Sequence, residues 1–154
     1  MIDDIYSTRI LTLAANMPRA GRLAAPDGSV ERTARLCGST ITADVTLDAA
    51  GCVADFAQDV RACALGQAAA AVLGANIQGA DLAEITQARD ALQDMLKTGG
   101  PPPSGRFADL AVLAPVKDYP ARHASTLLAF EAAAEAVAQA LSRRPSRTSP
   151  AVAG

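Results

Sequence analysis

The sequence predicts an α+β fold: a three-stranded antiparallel sheet with helices packed on it. Two observations carry this expectation. Three short strand-like segments follow one another between Val30 and Val60 with no helical pattern between them, which implies an antiparallel meander rather than a βαβ unit. The segments on either side repeat apolar residues at helical spacing, which supplies amphipathic helices to cover the sheet.

The first element is a helix over Asp3 to Ala15. Ile2, Tyr6, Ile10, Leu13 and Met17 recur every three to four residues and make one apolar face. Pro18 and Gly21 end it, and Pro26-Asp27-Gly28-Ser29 is a turn. Val30 to Leu36 reads as the first strand. Thr40 to Leu47 alternates: Ile41, Ala43, Val45 and Leu47 point one way, and Thr40, Thr42, Asp44 and Thr46 the other. That pattern predicts a half-buried strand with a solvated polar face. Asp48-Ala49-Ala50-Gly51 is a hairpin turn before a third strand over Cys52 to Val60.

The remainder reads as helical. Cys63 to Asn76 is a helix of small residues that Gly79 helps to stop. Asp81 to Lys97 opens on a capping-box pattern, Asp81-Leu82-Ala83-Glu84, ahead of a stripe at Leu82, Ile85, Ala88, Leu92 and Met95. Gly99-Gly100-Pro101-Pro102-Pro103 breaks the chain, and Phe107 to Leu113 fits no single template. Ala124 to Leu141 is the last helix, with Leu127, Phe130, Ala134, Val137 and Leu141 on one face, and Ser125 is its expected N-cap. Residues 1–142 are expected to form one domain. Residues 143–154, rich in Ser, Pro and Arg, are expected to be a disordered tail.

Composition narrows the function classes. A chain of 154 residues can bury a core without staples. Aromatics are 3% with no Trp, which argues against base stacking. The net charge of -2 and the absence of a basic stripe argue against binding nucleic acid through phosphates. The longest apolar run, Ala62 to Ala75, is interrupted by Gly66, Gln67 and Gly74 and is too short to cross a bilayer. The start, Met1-Ile2-Asp3-Asp4, is acidic where a signal peptide carries positive charge, so a cytoplasmic protein is expected. In that reducing compartment three cysteines point to metal binding, catalysis or burial rather than disulfides.

Three residues could carry chemistry. Cys37 lies in Leu36-Cys37-Gly38-Ser39, where Gly38 allows a sharp turn that exposes the thiol; the alternative is a small buried residue at a strand end. Cys63 opens a helix, where free backbone N–H groups favour a thiolate, although the run after it is a packing sequence. His123, the only histidine, sits at the start of the last helix and suits zinc or iron, or merely marks the helix entry. Cys52 takes no role. No P-loop, dinucleotide fingerprint, CxxC pair or Ser-His-Asp order is present.

These residues resemble the U-type iron–sulfur cluster assembly scaffolds, the IscU-like family that includes the N-terminal domain of NifU. The resemblance runs from Asp4 to Leu141. It rests on Tyr6…Ile10-Leu11, Asn16-Met17-Pro18-Arg19-Ala20-Gly21, Cys37-Gly38, the passage from Gly51 to Cys63, and Leu113-Ala114-Pro115-Val116-Lys117. The last of these is similar to a chaperone-docking segment of some relatives, with Ala114 in place of a proline. The family site is usually three cysteines and an aspartate. The first two cysteines match Cys37 and Cys63. The aspartate falls on Ser39, and the third cysteine on Ala124 without a gap or on Ser125 with a shift of one.

The resemblance implies a scaffold that binds iron, a transient [2Fe–2S] cluster or zinc through Cys37 and Cys63, with His123 as a further ligand. It implies a cysteine desulfurase and iron–sulfur acceptor proteins as partners, and a monomer or weak dimer. It implies no enzyme activity, or else that of a zinc-dependent sulfur acceptor. A degenerate, non-catalytic partner of the assembly machinery is the remaining reading.

Overall fold

The structure is a computed structural model, and it describes residues 7–35 and 38–143. Helix α1 (Thr8–Ala15) precedes strands β1 (Gly28–Ala34), β2 (Ser39–Leu47) and β3 (Val53–Arg61), which pair antiparallel in the order β1-β2-β3. Helices α2 (Ala64–Asn76) and α3 (Leu82–Thr98) follow. Two 3-10 segments, Gly105–Asp118 and Pro120–Arg122, then lead into α4 (His123–Arg143). The meander is the expected one, with β1 and β3 displaced by one or two residues from the ranges read from sequence. The first turn expected for α1 and the tail from residue 144 lie outside the described residues.

The sheet buries one face against α4 and α2, while α1 packs on α2 and α3 on α4. Ile41, Ala43 and Val45 of β2 are fully buried there. The covering helices bury more than a stripe. In α2 the run Leu65 to Gly74 is buried except for Gln67, because alanine and glycine on every side let neighbouring backbones approach from several directions. Residue 28 shows how close that approach is. A Cβ there would lie 2.1 Å from the Ala136 carbonyl oxygen of α4, so only glycine lets the helix lie on β1. Phe107 and Phe130 meet edge to face, centroids 5.3 Å apart, and tie the 3-10 segment to α4.

The termini of α3 follow their local chemistry. The Asp81 carboxylate accepts from the Glu84 N–H at 2.9 Å, but the Glu84 side chain pairs with Arg106 instead of closing the box. Gly99 stops the helix in the left-handed region at φ 74, with its N–H and that of Gly100 returned to the last turn.

Three expectations are corrected. The polar face of β2 is not solvated along its middle: Asp44 has no exposed surface and Thr42 very little, while Thr40 and Thr46 are half-buried. The chain between α1 and β1 crosses that face. Asp44 accepts from Arg22 Nε at 2.7 Å, Ser29 Oγ at 2.6 Å and Leu23 N at 3.0 Å. Ser125 does not cap α4, which already begins at His123; its hydroxyl donates back to the Arg122 carbonyl at 3.2 Å. Leu141 does not complete the apolar face but is exposed.

The same crossing segment guards the outer edge of β3. Gly21 N donates to Gln58 O and Gln58 N to Arg19 O, a single parallel bridge that satisfies the Gln58 backbone at this edge. The Gln58 side chain is fully buried, and its amide donates to Ala70 O at 2.9 Å and Pro18 O at 3.3 Å. Arg19 holds φ 62 here, anchored by Asp55 at 3.0 Å and Gln78 at 2.6 Å.

Candidate metal centre

Cys63 sits where β3 ends and α2 begins. It is the N-cap residue, with extended backbone, and its side chain makes no capping hydrogen bond. The thiol is therefore not spent on the helix terminus. It is half-buried, and its Sγ lies 3.4 Å from Ser125 Oγ in the first turn of α4. Ser125 is buried, and Gly66 makes the closeness possible: a Cβ at residue 66 would stand 3.0 Å from the Ser125 carbonyl oxygen. Small residues thus bring two helix N-termini together at one thiol.

His123 is the first residue of α4. Its Nε2 lies 3.0 Å from Val116 O and 3.2 Å from Lys117 O. Two carbonyl acceptors at one ring nitrogen place the proton there and leave Nδ1 as the atom with a lone pair for a metal. His123 thereby fastens the end of the 3-10 segment to α4. Ala124, next to it, is exposed. Of the two positions where a third cysteine could fall, Ser125 faces Cys63. Ala124 instead lines a cavity with His123.

That cavity has a volume of about 530 Å³ and lies between the end of β1, α3 and α4. Arg32, Arg35, Lys97 and Glu131 bring charge to its walls. Arg32 bonds the Glu135 carboxylate and stands 3.9 Å from Glu131. Burial pushes the Glu131 carboxyl up, against the opposing charges of Arg32, Arg89 and Lys97.

Cys37 and Leu36 lie outside the described residues. Their neighbours are placed: Gly38 N donates to Ala34 O at 2.8 Å, and Ala34 pairs with Ser39. Thr40 pairs with Arg61, so the β1–β2 connection shares one end of the sheet with Cys63. Arg35, in that connection, lines the same cavity as His123. Among the described residues no group of three or more His, Cys, Asp or Glu side chains is placed to hold a metal ion. Ser39, where the resemblance expects an aspartate, is buried at the start of β2. Among the described residues no helix is long and apolar enough to cross a membrane.

Two features of this end had no signal in the sequence. The Cys63–Ser125 contact joins residues sixty-two positions apart. The cationic cavity takes its residues from β1 and the connection after it, from α3, and from the 3-10 segment Pro120–Arg122 with α4, which lie far apart in the sequence.

The family profile described as NifU-like N terminal domain matches residues 5–126. A crystal structure of a nitrogen-fixing NifU-like protein (N-terminal) from Brucella abortus is 50% identical, with a TM-score of 0.89 over 93% of this chain and 99% of that one. A protein described as a candidate iron–sulfur cluster assembly scaffold for the SUF system, from Fervidobacterium islandicum AW-1, is 22% identical. It superposes with a TM-score of 0.78 over 86% of this chain and 96% of that one, which is a likeness of fold. No curated protein matches the chain. The matched span, the identity to the Brucella protein and the shared meander-and-helix architecture make one statement: this chain belongs to the NifU-like N-terminal domain family, the U-type iron–sulfur assembly scaffolds.

Proposed function

We propose that this chain is an iron–sulfur cluster assembly scaffold whose cargo is iron, a transient [2Fe–2S] cluster or zinc. Cys37 and Cys63 supply thiolates, and His123 supplies a nitrogen through Nδ1. Sulfur comes from a cysteine desulfurase and the product goes to iron–sulfur acceptor proteins, with the chain acting in the cytoplasm as a monomer or weak dimer. The observation that supports this reading most is the uncommitted Cys63 thiol at the sheet end shared by the β1–β2 connection, in a chain of this family.

The chemistry follows from the donor set. Thiolates are soft ligands that suit iron–sulfur clusters and zinc, and imidazole suits both iron and zinc. With Ser39 where the resemblance expects an aspartate, and Ala124 or Ser125 where it expects the third cysteine, three donors remain. Zinc accepts three protein ligands and a water, whereas a cluster usually takes four protein ligands. A set of three suits cargo that must leave.

The test is anaerobic reconstitution with ferrous iron and sulfide, followed by visible absorption and metal analysis. Charge-transfer bands with matched iron and sulfide, lost in the Cys37→Ala/Cys63→Ala variant, are the expected result. Equal uptake by that variant rejects the site.

A second reading has its own observation. Cys63 is a half-buried thiol with a hydroxyl beside it, an arrangement that suits a sulfur acceptor. The Cys63 thiolate would attack the outer sulfur of a desulfurase persulfide; the donor sulfur–sulfur bond breaks and the donor cysteine leaves as thiolate. Persulfide trapped on Cys63, in a colourless protein holding stoichiometric zinc, would favour this reading. A protein that takes up no metal but still binds the desulfurase would favour a degenerate interaction module.

A further inference from the structure

The cavity beside His123 carries positive charge that the fold leaves largely unmatched. Its floor is α4, which packs on both β1 and α3. One wall presents Arg32 of β1 and Arg35 of the connection after it, and the other presents Lys97 of α3. Arg35 and Lys97 are exposed and form no salt bridge with any described residue. Arg32 is matched only in part. One terminal nitrogen bonds the Glu135 carboxylate, the other stands 3.9 Å from Glu131, beyond hydrogen-bond distance, and Nε has no acceptor among the described residues. Glu131 is the one carboxylate among the described lining residues; it faces Arg32, and Lys97 is near enough to act on its charge. Three cations thus meet one carboxylate around a space of about 530 Å³, within the usual range for small-molecule sites.

This arrangement selects an occupant by charge. Guanidinium groups pair with planar or tetrahedral oxyanions, carboxylate or phosphate, through parallel hydrogen bonds, and a lysine adds a point charge. The cations come from both walls, so an anion with a single charged group leaves one wall unmatched. An anion with two or more such groups engages both. Between the walls Ala124, Leu127 and Pro120 offer apolar contact to the atoms that join those groups. We propose that this cavity binds a small polyanion bearing two or more carboxylate or phosphate groups, held by Arg32 and Arg35 on one side and Lys97 on the other. The binding is reversible and forms no covalent bond. It needs no metal and no thiol, and it does not rest on the scaffold reading above.

Calorimetric titration of the full, metal-free chain at constant ionic strength tests this. Tricarballylate carries its charge on carboxylates, pyrophosphate carries it on phosphates, and acetate is a control with a single charged group. At least one polyanion is expected to bind saturably, about tenfold or more tightly than acetate. Saturation by tricarballylate alone identifies a carboxylate ligand, by pyrophosphate alone a phosphate ligand, and by both the shared chemistry. The Arg35→Ala/Lys97→Ala variant is expected to bind about tenfold or more weakly. Both side chains are exposed, so the variant should fold, which circular dichroism checks. Lys97→Gln, which keeps the stem, is expected to weaken binding in the same direction. Arg9→Ala/Arg143→Ala removes the same charge from exposed positions outside the cavity and is expected to bind like the wild type.

No saturable binding of either polyanion, or acetate binding as tightly, overturns the proposal. So does equal binding by the Arg35→Ala/Lys97→Ala variant. An equal loss in the Arg9→Ala/Arg143→Ala variant overturns it too, because net charge would then explain the effect. Metal uptake enters none of these outcomes, so the scaffold reading stands or falls separately.

Discussion

Two regions of this chain are built on opposite principles. The segment from Met17 to Asp27 is fastened to the sheet beneath it, Asp44 and Gln58 included, and each of its charged side chains is bonded. Arg19 holds Asp55 and Gln78, Arg22 and Leu23 hold Asp44, and Gln58 reaches back to Pro18. At the end of the sheet that carries Cys63, the thiol has one weak hydroxyl contact, and Arg35 has no salt bridge with the described residues. Buried polar contacts of this kind fix one conformation, even though Gln58 Oε1 is buried without a partner among the described residues. Side chains left uncommitted can meet an incoming ligand without first losing a bond. At that end the fixed polar contacts belong to His123, with Val116 O and Lys117 O, and to Arg32, with Glu135, whereas Cys63 and Arg35 are left largely uncommitted.

This contrast predicts a separation of phenotypes: changes in the fastened segment should cost stability and spare metal uptake, and changes at the thiol end should do the reverse. The largest stability effect is expected at Gln58. Its truncation to alanine empties a fully buried site and removes two donors to backbone carbonyls, at about 3 kcal/mol. Chemical denaturation measures this, and unchanged stability would break the contrast.

Asp44→Asn is next, at about 2 kcal/mol, because it weakens bonds to Arg22, Ser29 and the Leu23 amide. The same residue predicts a pH dependence. Burial pushes the Asp44 carboxyl up, but hydrogen bonds from Arg22, Ser29 and Leu23 together with the Arg22 charge outweigh it, and the net shift is downward. A carboxyl depressed on folding contributes stability that is present above its unfolded value, about 3.9, and lost as pH falls through the lower folded value. The wild type should therefore lose stability on acidification below about pH 4, and Asp44→Asn should flatten that part of the curve.

Ser125→Ala removes one hydroxyl bonded to Arg122 O and should cost about 1 kcal/mol or less. The smallest stability effect is expected for Ala124→Cys on an exposed surface, within about 0.5 kcal/mol. That substitution should nevertheless slow zinc loss to a chelator, because it returns a thiolate beside His123. If Ser125→Cys slows zinc loss more, the position facing Cys63 is the one that matters.

The sheet order was legible because each strand carries its own alternation and its own turn. The α3 termini were legible for the same reason: Asp81 and Gly99 act within a few residues of themselves. The 3-10 stretch at 105–118 was not, because Phe107, Leu110, Leu113 and Val116 repeat every three residues, a period between those of helix and strand. At the candidate centre, Cys63 and His123 stand at helix starts as their neighbours in sequence imply, whereas Ser125 as a cap was a misreading, since α4 begins two residues earlier.

By itself the sequence determined the meander, the helices around it, the likeness to U-type scaffolds and the shortage of thiolates, all properties of residue type and local spacing. Only the tertiary structure decided that Asp44 is buried on a face that looks solvated, that Cys63 meets Ser125 rather than Ala124, and that Arg35, Lys97 and His123 share one cavity. Each of those depends on which distant segments pack together. That choice is set by small residues such as Gly28 and Gly66, which mark where backbones can touch without naming what they touch.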